Sequence, residues 1–534
     1  METFWHLMDG FVTSFQLINL MMIVLGVVAG LFVGAMPGLG SVNGVAILLP
    51  ITFIVPPTSA IIFLGALYYG AMYGGAISSI MLGIPGASTA VATTFDGRPM
   101  ALKGQADTAL IAAATASFFG GTVSIILFTL FAPPLADFAL SFGPPEEFAL
   151  MLMAFATFIG LGGDSILKTF FCIAFGLVLS AVGLDILSGE PRLVFGNPSY
   201  LAELITGDKY YLAEFTIGFM RKISFLVLAI GIYGIGEMLW TIETTKGGVT
   251  FSQANVTLRG IVRTIGTLRR SIPMMTFGSL LGFFVGILPA AGATPGSLMA
   301  YGMAKSFSRN PQEFGTGIVD GVVAPESANN AASTGSMLPM LTLGIPGSPT
   351  TAILLGGMIA WGLTPGPTLF SEVETQEFVW GLIASLYVAN TAALVFNLAF
   401  IPMFIMVLKM PFTILAPVIF LLCVVGGYVP NLNMHDVWLM LIFGLGGYIL
   451  RKLEYPMAPI VLAIVLGPLA EESLRQSLSI SQGEIWIFFM KEKPLPDQFF
   501  TEPRIAFLFV ILSVVLFSFP LVKTILNARK RRQV

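Results

Sequence analysis

Long apolar stretches alternate with short polar ones along nearly the whole chain. Apolar segments fall near 14–36, 40–55, 60–83, 107–132, 147–161, 166–184 and 222–240. After a polar, basic stretch they resume near 273–289, 293–307, 331–345, 351–363, 378–408, 412–427, 437–450, 456–470 and 505–527. A membrane-crossing helix needs about 20 mostly apolar residues, and shorter segments suit helices that break or turn back inside the bilayer. The pattern therefore predicts an all-α integral membrane protein of about 11 spans plus two helical hairpins. The polar stretches 187–220 and 471–503 are loop-sized and long enough only for short surface helices.

The pattern also repeats. Gly30-Leu-Phe-Val-Gly-Ala-Met-Pro-Gly-Leu-Gly40 returns as Gly282-Phe-Phe-Val-Gly-Ile-Leu-Pro-Ala-Ala-Gly292, identical at six of eleven positions. Leu82-Gly-Ile-Pro-Gly86 returns unchanged as Leu343-Gly-Ile-Pro-Gly347, so the two offsets are 252 and 261 residues. Two Pro/Gly motifs in the same order at nearly the same spacing indicate a duplication with a small insertion. The implied organisation is a first transmembrane repeat at 1–240, a basic linker at 241–272, a second repeat at 273–470, and a loop, final span and basic tail at 471–534.

Charge orients the halves, because cytoplasmic loops carry an excess of Lys and Arg. The loop after the first Gly-Ile-Pro-Gly carries Arg98 and Lys103, whereas its counterpart carries Glu372, Glu374 and Glu377. The next loop holds Asp137, Glu146 and Glu147 against Lys409. The turn after that holds Asp185 and Glu190 against Arg451 and Lys452. Corresponding loops have opposite bias, so the second repeat is expected to be inverted, a plan common among secondary transporters. The linker (Lys246, Arg259, Arg263, Arg269, Arg270) and the tail (Lys523, Arg529, Lys530, Arg531, Arg532) are then cytoplasmic, and the amino terminus periplasmic.

Composition agrees. Of 534 residues, 56% are hydrophobic and 10% charged, and the mean hydropathy is +0.88. A soluble domain carries about 25% charged residues. The net charge of −3 suggests no nucleic-acid or other strongly charged partner. Cys172 and Cys423 lie in apolar runs and read as packing residues, and with His6 and His435 the only histidines, a Cys/His metal site is not expected. The first ten residues contain Glu2 and Asp9 but no Lys or Arg, so the apolar stretch from Phe15 reads as a membrane helix and not a cleavable leader.

Candidate chemistry sits at the Pro/Gly motifs. Proline lacks an N–H and glycine favours irregular backbone, so each motif should break its helix within the membrane. Broken backbone at that depth survives only where protein or a watery cavity satisfies it. A helix restarting after a break offers oriented N–H groups to a carboxylate, and freed carbonyls can ligate a transient Na⁺. The candidate binding residues are Gly38, Gly40, Ser41 and Asn43 at the first break, and Pro85, Gly86, Ser88 and Thr89 at the second. In the other half they are Gly292 and Thr294, then Pro346, Gly347, Ser348, Thr350 and Thr351. Capping and small-residue packing are the alternative uses of these hydroxyls. Glu326, Asn329 and Asn330 stand three to four apart and share a helical face. An ionisable residue at membrane depth points to function, whereas at the surface Glu326 would merely cap a helix. No phosphate-binding Gly-x-x-x-x-Gly-Lys loop, zinc His-Glu-x-x-His or Gly-x-Ser-x-Gly elbow occurs. The pairs Glu146-Glu147 and Glu471-Glu472 read as solvated loop residues.

In combination, Gly34-Ala-Met-Pro-Gly-Leu-Gly40, Gly83-Ile-Pro-Gly86, Pro325-Glu-Ser-Ala-Asn-Asn330 and Leu343-Gly-Ile-Pro-Gly347 resemble the large membrane subunit of the tripartite tricarboxylate transporters. Gly183-Leu-Asp185 and Gly467-Pro-Leu-Ala-Glu471 add to the likeness, while Ala290-Ala291 departs from Gly38-Leu39 of the first half. The resemblance implies a permease of the bacterial inner membrane working with a small membrane subunit and a periplasmic solute-binding protein. It further implies uptake of citrate-like di- or tricarboxylates driven by Na⁺ or H⁺, with no other cofactor. The rival readings are a channel for a small solute and an intramembrane enzyme.

The charge argument is testable. Cysteines introduced at 256–270 should resist an impermeant thiol reagent applied from the periplasmic side. Ready labelling in intact cells would overturn the assigned topology.

Overall fold

The computed structural model describes residues 2–36, 39–161, 165–185, 191–193, 223–244, 256–289, 291–408, 412–429, 431–491 and 503–531. Gly38, Glu190, Lys246, Lys409 and Arg532 lie outside the described residues. The architecture is all-α, as the hydrophobic pattern predicts; one loop holds a two-residue antiparallel pairing of Gly183–Leu184 with Pro191–Arg192. Two compact units form, Met1–Leu140 with Glu237–Leu422, and Ser141–Gly236 with Cys423–Val534. Each unit draws on both sequence repeats.

Ten helices of the first unit fall into two matching sets. The first set is α1 (Leu17–Ala35), α2 (Gly40–Leu48), α3 (Pro57–Leu82), α4 (Val91–Leu102) and α5 (Ala106–Ala139). The second is α6 (Ile272–Ile287), α7 (Ala293–Phe307), α8 (Asp320–Leu343), α9 (Pro349–Ala360) and α10 (Val373–Ala399). Within a set, α1 packs on α3 and α6 on α8. Between sets the packing crosses over, with α5 on α8 and α10 on α3.

Glycine sets the closeness of the first pairing. α1 presents Gly26, Gly30 and Gly34 one turn apart, and a Cβ at each would overlap the carbonyl oxygens of Phe63, Leu67 and Ala71 on α3. α6 presents Gly278, Gly282 and Gly286 in the same way to the carbonyls of Ala324, Ala328 and Ala332 on α8. The reverse contact is duplicated too: Gly74 meets the Leu31 carbonyl, and Gly335 the Phe283 carbonyl. Each of these four pairs of contacts maps from one set onto the other at the offsets of 252 and 261 residues. In lipid, helices gain little from burying apolar side chains and associate through such close backbone contact.

Among the described residues, six helices are long and apolar enough to cross a membrane: Leu17–Ala35, Pro57–Leu82, Ala106–Ala139, Phe225–Thr244, Leu258–Ile287 and Thr375–Ala399. Gly40–Ile54, Ile166–Ser180, Pro349–Ala360, Ile414–Tyr428 and Ile505–Ser518 are apolar but shorter. Two sequence expectations need correction. The apolar segment near 331–345 covers only the second half of α8, which starts at Asp320 and carries Glu326, Asn329 and Asn330 on a helix as expected, with their side chains buried against neighbouring helices.

The second correction concerns the acidic pairs of the second unit. Glu146 starts the helix Pro144–Leu161, is buried, and pairs with Arg504 at 3.2 Å. Glu471 lies within the helix Ala458–Ile480 and pairs with Arg475 one turn on, at 2.6 Å, and with Arg192 at 2.7 Å. Asp185 joins the same cluster through Arg475 at 3.0 Å. The hydrogen bond from Arg192 to Glu471 raises the guanidinium pKa further above its ordinary value. Arg504, supplied from distant sequence, holds Glu146 out of solvent, whereas Glu471 stays half-buried beside Arg475 and Arg192.

The glycine contacts predict an asymmetric response to one methyl group. Gly282→Ala should destabilise by about 1–3 kcal/mol, as overpacking does. Gly302→Ala on α7, where a Cβ meets nothing within 4 Å, should be neutral or mildly stabilising. Thermal unfolding of the two variants in detergent makes the comparison.

Candidate functional site: paired helix breaks beside a buried carboxylate

The four Pro/Gly motifs end and restart helices as their chemistry requires. α3 and α8 each close on a left-handed glycine, Gly83 (φ 75°) and Gly344 (φ 70°), which a residue with a Cβ rarely tolerates. α2 and α7 each restart at a positive-φ glycine, Gly40 (φ 61°) and Gly292 (φ 62°). Within each set the first break then sits on the second. The Gly292 N–H donates to the Gly347 carbonyl at 3.0 Å, and a Cβ on Gly40 would come within 3.2 Å of the Ala87 Cβ. Gly86 and Gly347 lie so close to the carbonyls of Gly34 and Gly286 that neither position has room for a side chain. Pro85 is half-buried and Pro346 buried.

Hydroxyls join the two sets crosswise. Ser41 Oγ and Thr350 Oγ1 share a buried hydrogen bond of 3.0 Å, linking the first break of one set to the second break of the other. Ser88 Oγ and Thr294 Oγ1 make the reciprocal link at 3.1 Å, with Ser88 exposed. The Thr89 carbonyl accepts from the Ser297 hydroxyl at 2.8 Å. Asn43 is buried on α2. Ser348 and Thr351 form a capping box on α9, with Thr351 N–H donating to Ser348 Oγ at 3.2 Å and Ser348 N–H to Thr351 Oγ1 at 2.9 Å. Capping thus accounts for those two, whereas α2 and α7 start with no side-chain cap and leave first-turn N–H groups for other acceptors.

Glu326 is no surface cap. It sits in mid-chain on α8, fully buried, and accepts from the hydroxyls of Thr93 (α4) and Ser117 (α5), the latter at 3.1 Å. No cationic side chain pairs with it among the described residues. Asn329 lies beside the Glu326 carboxyl, is fully buried, and neither atom of its amide meets a hydrogen-bond partner in acceptable geometry. Asn330 donates to the Glu326 carbonyl at 3.2 Å while its own Oδ1 stays unpartnered. Leaving a buried polar group unsatisfied costs about 1–3 kcal/mol, so this stretch of α8 is poor structure unless something else binds there.

Sequence reasoning missed the polar partners facing α8. Tyr69 Oη bonds Thr334 Oγ1, and Tyr68 Oη lies 3.3 Å from both Ser336 and Ser348. Tyr73 Oη donates to Asn390 Oδ1 at 2.6 Å. The readable signal was Tyr68-Tyr-Gly-Ala-Met-Tyr73, three phenol hydroxyls in the middle of α3. Asp96 was also missed. Fully buried on α4, it accepts from the N–H groups of Gly315, Gly317 and Ile318, at 3.0, 2.7 and 3.0 Å, and from the Tyr301 hydroxyl at 2.9 Å. It fixes the loop that joins α7 to α8.

The profile of the tripartite tricarboxylate transporter TctA family matches residues 20–462, which include all four breaks and the whole of α8. The chain belongs to that family. As a TctA-family protein it is a multi-pass membrane component of a transporter, and the resemblance read from the motifs holds. It is 36% identical over 491 residues to an uncharacterized 52.8 kDa protein in the TAR-I ttuC′ 3′ region of Agrobacterium vitis, covering 91% of this chain and 92% of that one. It is 40% identical over 207 residues to an uncharacterized protein in the TAR-II ttuC′ 3′ region of the same organism, covering 39% of this chain and 85% of the relative. No solved structure matches it.

The Asp96 geometry predicts a local release. Hydrogen bonds to a charged group contribute about 1.5–3 kcal/mol each, and Asp96→Ala removes four donors' acceptor at once. The loop at 308–319 should become the first site cut in limited proteolysis, while Asp107→Ala on α5 should leave the cleavage pattern as it is.

Proposed function

We propose that this TctA-family chain is the large permease subunit of a secondary active importer for a small di- or tricarboxylate. It takes solute from a periplasmic binding protein, works beside a small membrane subunit in the bacterial inner membrane, and draws on a Na⁺ or H⁺ gradient. The two helix sets act as inverted repeats, with the amino terminus periplasmic and the carboxyl terminus cytoplasmic. The observation that carries this reading is the crosswise pairing of the breaks, Ser41 with Thr350 and Ser88 with Thr294. A solute bound there touches both repeats, so moving one repeat against the other alters its surroundings, which is what alternating access requires. The hydroxyls are neutral and donate or accept, so they can exchange one another for a carboxylate without burying a permanent charge.

Reconstitution with both partner proteins tests the proposal. Solute should accumulate under an imposed ion gradient and not on addition of ATP with the gradients collapsed. At matched protein level, Ser41→Ala and Thr294→Ala should each weaken the apparent solute affinity about tenfold or more, the equivalent of one hydrogen bond to a charged group. Pro346→Ala should be harsher, because it lets α8 run on through the break. Non-saturating, purely downhill flux would overturn the carrier reading.

A further inference from the structure

The span α6 is preceded by a helix that takes no part in the paired breaks. Leu258–Thr267, the 3₁₀ turn Leu268–Ser271 and α6 follow one another without a loop. Their 30 residues would run about 45 Å as one helix, against about 30 Å of hydrocarbon, so the first part falls at a bilayer surface. The Thr257 hydroxyl caps the helix by accepting from the Gly260 N–H at 3.1 Å. One edge is held by protein: Thr264 is buried, and Leu268 packs with Ala112 and Ala116 of α5, Met275 of α6 and Val323 of α8. The Ser271 hydroxyl donates to Asp320 at 2.5 Å, which ties the turn to the start of α8.

Another edge is bare. Leu258, Val262 and Ile265 stand four and three apart on one face and are 83%, 73% and 42% exposed. Arg259 and Arg263 stand four apart on the adjoining strip, Arg269 and Arg270 continue the charge, and all four are exposed. No acid occurs between 256 and 271, and none of the four arginines forms an ion pair among the described residues. Water would leave the apolar face uncovered, and hydrocarbon would strand the guanidiniums. The headgroup boundary suits both, with the apolar face among acyl chains and the arginines at the level of the phosphates.

We infer that the helix Leu258–Thr267 is a lipid-binding surface selective for anionic phospholipid, with Leu258, Val262 and Ile265 in the acyl boundary and Arg259 and Arg263 on headgroup phosphates. A zwitterionic headgroup balances its phosphate with its own ammonium. An anionic one leaves a net charge for the unpaired arginines, whose forked N–H groups fit phosphate oxygens. In the topology proposed above this is the cytoplasmic leaflet.

The surface needs neither solute nor coupling ion, so its test is independent of the carrier reading. The full chain, with buried Cys172 and Cys423 replaced by alanine, receives one fluorophore at Val262→Cys. For comparison the fluorophore is placed instead at Leu130→Cys, an exposed position near the other end of α5. In nanodiscs of phosphatidylcholine with phosphatidylglycerol, an acyl-chain nitroxide quencher is carried on one lipid or the other in equal amount. Quenching at 262 should favour phosphatidylglycerol by about tenfold or more in relative affinity. Arg259→Gln combined with Arg263→Gln should reduce that preference to the one seen at 130. Equal quenching by the two lipids at 262, or a preference unchanged in the arginine variant, would overturn the site. So would a probe at 262 that neither lipid quenches, because the helix would then lie in water or against protein.

Discussion

Backbone-to-backbone contact between glycine and carbonyl is the constraint on which the rest of the first unit depends. Gly26, Gly30 and Gly34 let α1 lie directly on the α3 backbone, and Gly278, Gly282 and Gly286 do the same for α6 on α8. The last glycine of each series, Gly34 and Gly286, is also where its carbonyl meets the following break, at Gly86 and Gly347. The contact that joins two helices in lipid therefore also fixes the register of the two broken segments. Without it, four interruptions of hydrogen-bonded backbone would have no reason to gather in one place, and each freed group in the membrane would carry a penalty of several kcal/mol.

How much of this was legible follows from the range of each interaction. The breaks were readable because Pro and Gly act within their own turn, and Gly83 and Gly344 stand in the left-handed conformation that the motif calls for. The duplication was readable because it is a property of the string. The glycine stripes were present at i, i+4 and i+8, yet they were passed over beside the louder Pro/Gly motifs. The crosswise pairs were not readable, because Ser41 and Thr350 are 309 residues apart and no local pattern couples them.

Charged residues were only partly legible for the same reason. Glu146, Asp96 and Glu326 look alike in sequence, as acids near apolar runs. Their fates differ through partners brought from elsewhere: Arg504 for the first, three backbone N–H groups for the second, and two hydroxyls for the third. Hydropathy gave α8 too late a start because it scores Glu326, Asn329 and Asn330 as if they faced water or lipid, and they face neither.

The difference between the two offsets has a physical location. The nine extra residues of the second repeat fall between Gly292 and Ala324, a span that includes the loop whose N–H groups Asp96 collects. Asp96 has no twin: the position 261 residues on is Gly357. Two identical halves would make their two alternative arrangements degenerate, with neither side of the membrane favoured. A clasp that runs from α4 of one half to the α7–α8 loop of the other, with no counterpart, lifts that degeneracy. In the carrier proposed here, that clasp gives the two arrangements of a duplicated machine different energies when no solute is bound.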